Sequence, residues 1–375
     1  MKKEFTSYVV CSINYITGKV VLMLNFGLNF NSVKIEEYSF PNKRNYEQIV
    51  DNSLLAILDN FIQENSCKQA QFYVVVDDVC VGTEFITIPY VAHNKAEVFI
   101  KTELERLYPN FNNSYSYTTY MVNKTKKNVV YKCSLMKKDL INNINNTYKK
   151  LGVTLHGITS ASCAYSSIVV SSFKLKQNSY FILDILNNKP QLFYMYKNQL
   201  MATLSFNGKA SDIESSINAG QAFNTDDAIY EIYFFGQSAK TNFGVQLDIS
   251  GEPLNKKKII DKQRKSWQNC NARLNEKENA FYPLAKVVNC FNKSITQYGF
   301  PVSSTLYLTR DMRNVCGFDT LNELTSMDVK IIDMQKMFQA QICDYIYLFG
   351  AIHIYKDQQS NVFLSKQSQK KLFFF

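Results

Sequence analysis

At 375 residues, with 46% hydrophobic and 14% aromatic content, the chain is too long for one ordinary domain and too apolar for disorder, and it suits two domains that each bury a core. No apolar run approaches the ~18 residues needed to span a bilayer, and the start, MKKEFTSYVV, has no long apolar signal core, so a cytoplasmic protein is expected. The net charge of +10 leaves an anionic partner open.

Tyr8 to Ile13 reads as a strand, 14–18 as a turn, Lys19 to Asn25 and Val33 to Phe40 as two further strands. Asn45 to Glu64 follows as a helix, with Ile49, Leu54, Leu55, Leu58, Phe61 and Ile62 at roughly helical spacing, and Gln71 to Val76 is a buried strand. Phe85 to Pro89 is a short strand ending in proline. It leads into a helix over Asn94 to Leu107 whose apolar positions are Val98, Ile100, Leu104 and Leu107. Strands over Tyr115 to Val122 and Asn128 to Met136, then a helix over Lys138 to Leu151 closed by Gly152, complete a subdomain inserted at about 84–152. Val153 to Ile158 is strand-like, and Ser160 to Phe173 is expected to cross as a helix to the second half.

From Ser179 the opening design returns. Tyr180 to Ile185, Gln191 to Tyr196 and Leu200 to Phe206 form an antiparallel meander, and its first strand carries one carboxylate, Asp184. Phe281 to Tyr298 reads as a long helix, Thr305 to Thr309 and Val329 to Ile332 as strands, and Cys343 to Ile354 as a small-residue helix. A meander, a helix and a strand occurring twice imply two like-folded halves: residues 1–160, with the insert, and 161–375.

The nine cysteines are scattered, form no CxxC and pair with none of the three histidines at zinc-ligand spacing, so buried reduced thiols are expected and no metal. Between Pro253 and Asn279, eight basic residues face three acidic ones and supply half of the net charge. Lys256, Lys257, Lys258, Lys262, Arg264 and Lys265 belong to this polar insert. It reads as a solvated surface or a contact with an anionic membrane, and not as a nucleic-acid groove, because stacking aromatics do not alternate with its basic side chains.

The repeated halves resemble the α/β actin-like (ribonuclease H-like) fold. More narrowly, FITIPYVAHNKAEVFIKTELERLYPN, two strands, LMKKDLINNINNTYKKLGVTLHGITSASCAYSSIVV and then YFILDI are similar in order to the PilM proteins of type IV pilus assembly. The cytoplasmic domain of the secretion protein GspL is a second parallel. This resemblance implies a cytoplasmic adaptor, peripheral to the inner face of the cell membrane. It would dock the short cytoplasmic tail of a PilN-like membrane protein in a groove lined by the Phe85 to Tyr90 strand and the Lys95 to Leu107 helix. Other assembly-platform or motor proteins, and self-association, are further expected partners.

An actin-like ATPase needs a carboxylate and glycine in its first phosphate loop, D-x-G in its second, and a bare glycine pair beside the purine. At these places the chain has Ser12-Ile13-Asn14, Asp184-Ile185-Leu186 and Leu308-Thr309-Arg310-Asp311. Asp184 alone survives; Ser12 and Asn14 replace the first carboxylate and glycine, Leu186 replaces the second glycine, and Arg310 and Asp311 fill the purine side. The reading is therefore a pseudo-ATPase without catalytic residues or cofactor. The alternative is an ATP-binding actin-like protein, either an FtsA-like filament or an enzyme of the sugar or acetate kinase family.

Overall fold

The computed structural model describes residues 7–14, 18–26, 33–39, 52–185, 191–206, 229–234, 282–296, 300–310, 313, 318–338 and 340–356. The chain forms two compact units, one of residues 1–172 with 345–375, the other of residues 173–344.

In the first unit β1 (Ser7–Asn14), β2 (Lys19–Phe26) and β3 (Val33–Ser39) form a meander, and β4 (Gln71–Val76) and β8 (Leu155–Ser160) extend it in parallel, giving the order β3-β2-β1-β4-β8. The six central residues of both β1 and β2 are buried, as their β-branched and aromatic runs require. Val9, Cys11 and Ile13 of β1 share a core with Leu58 and Phe61 of α1 (Asn52–Glu64) and Ile144 and Tyr148 of α4 (Lys138–Lys150). Tyr148 meets Phe72 edge-on at 5.8 Å. Alternate side chains point to opposite sheet faces, so Tyr8, Val10 and Ser12 face the other way.

That second face receives α10 (Ile346–Lys356), which packs on β1, β4 and β8. The expected division at 160/161, with everything onward in the second half, therefore differs at both ends. α5 (Ala161–Phe173) belongs to the first unit up to Ser172, and the last helix returns to it. The reason is packing: a Cβ on Gly350 would stand 1.8 Å from the Ala164 carbonyl oxygen, so α10 and α5 meet backbone to backbone.

A separate three-stranded sheet, β5-β7-β6, comprises β5 (Gly82–Pro89), β6 (Tyr115–Lys124) and β7 (Asn128–Lys137). α2 (His93–Leu107) and the short α3 (Phe111–Ser114) cover one face through Ala96, Ile100, Leu104 and Phe111, against Ile86, Ile88, Val129, Cys133 and Leu135. The inward stripe is 96, 100, 104, a helical period, and it leaves Val98 64% exposed, contrary to its expected core role. α4, expected within the insert, instead closes the core of the first sheet. It ends as anticipated: Gly152 at φ 66° lets its N–H reach Lys149 O at 3.0 Å while Val153 N–H reaches Tyr148 O at 3.1 Å, a paired cap of the last carbonyls.

The second unit repeats the plan with β9 (Ser179–Asp184), β10 (Gln191–Tyr196), β11 (Gln199–Phe206), β13 (Thr305–Leu308) and β14 (Asp328–Ile331), extended by β12 (Ile229–Phe234) in the order β12-β11-β10-β9-β13-β14. β12 had no counterpart in the sequence reading. α6 (Tyr282–Thr296) lays Phe291 against Phe181 of β9 at 5.6 Å, and the shorter α7 (Leu321–Thr325), α8 (Met334–Met337) and α9 (Ala340–Cys343) follow.

Candidate functional site

Ser12 and Asn14 lie at the end of β1. Ser12 is nearly buried, and its side chain is hydrogen-bonded to the Tyr347 hydroxyl on α10. Burial pushes the Tyr347 hydroxyl up to about 12, with Glu37 and Asp77 adding to the rise against the Ser12 bond. The Asn14 carbonyl accepts from Gly18 N–H at 2.9 Å, closing the hairpin turn. The first-loop position thus faces an aromatic side chain supplied from more than three hundred residues away. Next along the same sheet edge, Asp78 accepts from the Ser162 N–H at 3.1 Å and from its hydroxyl. That carboxylate satisfies the first turn of α5 and sits where the helix dipole favours negative charge.

Asp184 ends β9 with no solvent exposure. Parallel pairing of β9 with β13 sets Leu183 beside Leu308, which carries Thr309 alongside the carboxylate. Thr309 Oγ1 donates to Asp184 Oδ1 at 3.1 Å and accepts from Ile185 N–H at 3.3 Å, while Thr309 N–H donates to Leu183 O at 3.2 Å. The Asp184 carboxylate is therefore tied into the sheet. Burial, and after it the charges of Asp344, Asp184 and Asp333, pushes the Cys343 thiol up to about 11. Arg310 follows at intermediate exposure, next to Thr309. Leu186, Asp311 and the basic residues Lys256, Lys257, Lys258, Lys262, Arg264 and Lys265 lie outside the described residues.

Cys11, Cys67, Cys80, Cys133, Cys163 and Cys343 are free thiols, and burial raises each of them, Cys11 and Cys133 to about 12. Thiols held this high are protonated at neutral pH and poor nucleophiles. Among the described residues no cluster of His, Cys, Asp or Glu could hold a metal, and no helix is long and apolar enough to cross a membrane.

In the insert, Glu84 is buried under α2 and accepts from the Tyr108 hydroxyl, while no described group hydrogen-bonds its Oε2. Burial pushes Glu84 up to about 7, opposed by the Tyr108 bond. Sequence reasoning missed Glu84, Thr309 and Tyr347. Glu84 carried one usable signal, a carboxylate at an inward position two residues before Ile86 on an alternating strand. On the outside of α2, Val98 and Phe99 are 64% and 42% exposed, and β5 is an edge strand that among the described residues pairs with β7 alone.

Two sheets of one strand order, each a meander extended by parallel strands, with a subdomain inserted in the first, define an actin-like α/β protein. Among solved structures the chain is similar to the PilM-PilN type IV pilus biogenesis complex, at a TM-score of 0.53 and 12% identity over 93% of this chain and 98% of that one. The resemblance to PilM read from the sequence is thus matched in three dimensions, and at this identity it is a likeness of fold. The cytoplasmic domain of EpsL, from the type II secretion system of Vibrio cholerae, gives 0.36 and 8% over 52% of this chain and 70% of that one. A protein of actin-like ATPase fold and unknown function from Bacteroides thetaiotaomicron gives 0.39 and 11% over 92% and 96%. No protein-family model and no curated protein matches the sequence.

Proposed function

We propose that this chain is an actin-like scaffold of a type IV pilus or related secretion machine, working at the cytoplasmic face of the membrane. It docks the short cytoplasmic tail of a PilN-like membrane protein on its inserted subdomain. The observation that carries the reading is the outer surface of α2. A helix with a complete inward stripe has no core use for Val98 and Phe99, and β5 stands at the edge of the sheet that the helix covers. An extended peptide gains main-chain hydrogen bonds from such an edge and affinity from a few apolar anchors.

The scaffold does so without turning over nucleotide. Supporting this, Ser12 is engaged by Tyr347 and Asp184 by Thr309, so neither strand end offers a carboxylate free to hold a metal-bound water. The basic residues from Lys256 to Lys265 are a second candidate contact with the membrane, and self-association and motor-side partners fit the same role.

The test is direct binding. A synthetic peptide with the N-terminal sequence of the bitopic membrane protein encoded beside this chain binds at micromolar strength or better in fluorescence anisotropy, without nucleotide. Val98→Asp with Phe99→Asp abolishes binding and leaves the melting temperature nearly unchanged, because both side chains are exposed. Binding untouched by this pair moves the tail elsewhere. Magnesium and ATP give no thermal shift at low micromolar concentration, corresponding to binding of at most ~4 kcal/mol; a clear rise in melting temperature would favour the ATP-binding alternative.

A further inference from the structure

At the far end of the inserted sheet, the β6–β7 hairpin turns through Asn123-Lys124-Thr125-Lys126-Lys127-Asn128. The turn is built. Thr125 N–H and Oγ1 both donate to the Asn128 carbonyl, at 2.8 and 3.0 Å, Asn128 N–H returns a bond to Thr125 Oγ1 at 2.9 Å, and Tyr90 N–H ties the end of β5 to the Lys127 carbonyl at 2.8 Å. Three lysines are thereby held on an ordered surface, with Lys95 of the adjoining first turn of α2, and all four are exposed. Residues 85–96 and 115–138, which cover the tip and the whole length of the β6–β7 hairpin, contain no acidic residue; the acidic residues that border them are Glu84, Glu97 and Asp139. Among the described residues none of the four lysines is ion-paired.

Two large apolar side chains share the tip. Tyr90 is 53% exposed and Met121 50% exposed. Lys124 Nζ lies 4.2 Å from the centre of the Tyr90 ring and 3.1 Å from its hydroxyl. One face of the only exposed aromatic at the tip is thus occupied by a cation, which removes it as a platform for a stacked base. Lysines of one sign, an amphipathic tyrosine and a flexible methionine on an exposed hairpin tip are the chemistry of the headgroup layer. There the apolar bodies enter the interface and each lysine gains from the negative surface potential.

We propose that the tip formed by Tyr90, Lys95, Met121, Lys124, Lys126 and Lys127 is a membrane-contact site that takes the surface of an anionic bilayer. It excludes Val98 and Phe99, the anchors of the tail-docking surface, although Tyr90 and Lys95 end the strand and begin the helix expected to line that groove.

The full chain is co-sedimented with vesicles of phosphatidylcholine alone and of phosphatidylcholine with a third phosphatidylglycerol. Binding to the anionic vesicles only, weakening as salt shortens the screening length, is expected. Lys126→Gln lowers the partition coefficient about fivefold, and the triple change Lys124→Gln, Lys126→Gln, Lys127→Gln on the order of a hundredfold. The melting temperature serves as the fold control, and Val98→Ser with Phe99→Ser, which adds no charge beside Lys95, leaves vesicle binding intact. Equal binding to both vesicles, none to either, or a triple variant that binds as the wild type would overturn the assignment, the last returning membrane contact to the segment from Lys256 to Lys265. Capture of poly-glutamate or a single-stranded oligonucleotide through the same lysines, with no vesicle binding, would overturn it too, in favour of a macromolecular partner.

Discussion

β1 and β9 lead the two repeated sheets and occupy the same place in the strand order, but the polar residue near the end of each is held differently. Ser12 in β1 takes its partner from α10, a helix contributed by the far end of the chain, whereas Asp184 in β9 is held by Thr309 on the neighbouring strand. A hydroxyl can be buried for the cost of one hydrogen bond. A fully buried carboxylate needs several partners or it protonates, which is why Asp184 sits in the better-bonded strand end. Glu84 is the contrasting case: a buried carboxylate with one oxygen bonded by Tyr108 and the other left without a hydrogen bond among the described residues. The same chemical group is thus tied into a core sheet in one place and poised near neutrality in another.

The largest way to break the comparison is to remove α10 from the first sheet. Gly350→Val puts a side chain where only 1.8 Å separates the first carbon from Ala164 O, and both neighbours are backbone, so no rotamer relieves it. A loss of about 3 kcal/mol or more is expected in urea denaturation. A change below about 1 kcal/mol would show that α10 does not hold the Ser12 position.

Glu84 sharpens the contrast between the carboxylates through pH. Its folded pKa, about 7, lies above the ordinary value of 4.5, so the folded chain binds the proton more tightly than the unfolded one. Stability from this group is complete below pH 4.5 and falls as pH rises to about 7, by on the order of 3 kcal/mol in all. Glu84→Gln should flatten that stretch of a stability-versus-pH curve and stabilise the protein at pH 8. An unchanged slope would mean that Glu84 is ionised in the folded state.

Thr309→Val keeps the side-chain shape but withdraws a donor from Asp184, at a cost of about 1–3 kcal/mol. If Asp184 is held mainly by this bond, Thr309→Val with Asp184→Asn should cost less than the two changes summed, as a double-mutant cycle would read. Smallest are Ser12→Ala and Tyr347→Phe, each about 1 kcal/mol. They break one bond, so the pair should cost little more than either alone; full additivity would separate the two residues.

Much of this architecture was legible in the chain. Gln71–Val76 and Gln191–Tyr196 fall where alternation and turn residues put them, because burial on a sheet writes itself into local composition. The repeat was equally visible, since each half must bury its own meander. Val98 misled: in a short amphipathic helix one valine beside the stripe looks like one within it, and only the packing of Ala96 and Ile100 on the inserted sheet set the rotation.

The sequence by itself determined the doubled actin-like plan and the strands and first helix of the insert, all properties of residues close together in the chain. It could not assign α10 to the first unit, bring Tyr347 to Ser12 or set Thr309 against Asp184. Those pairings join residues more than a hundred positions apart. They are selected by strand register and by helix surfaces that fit only after both partners have folded.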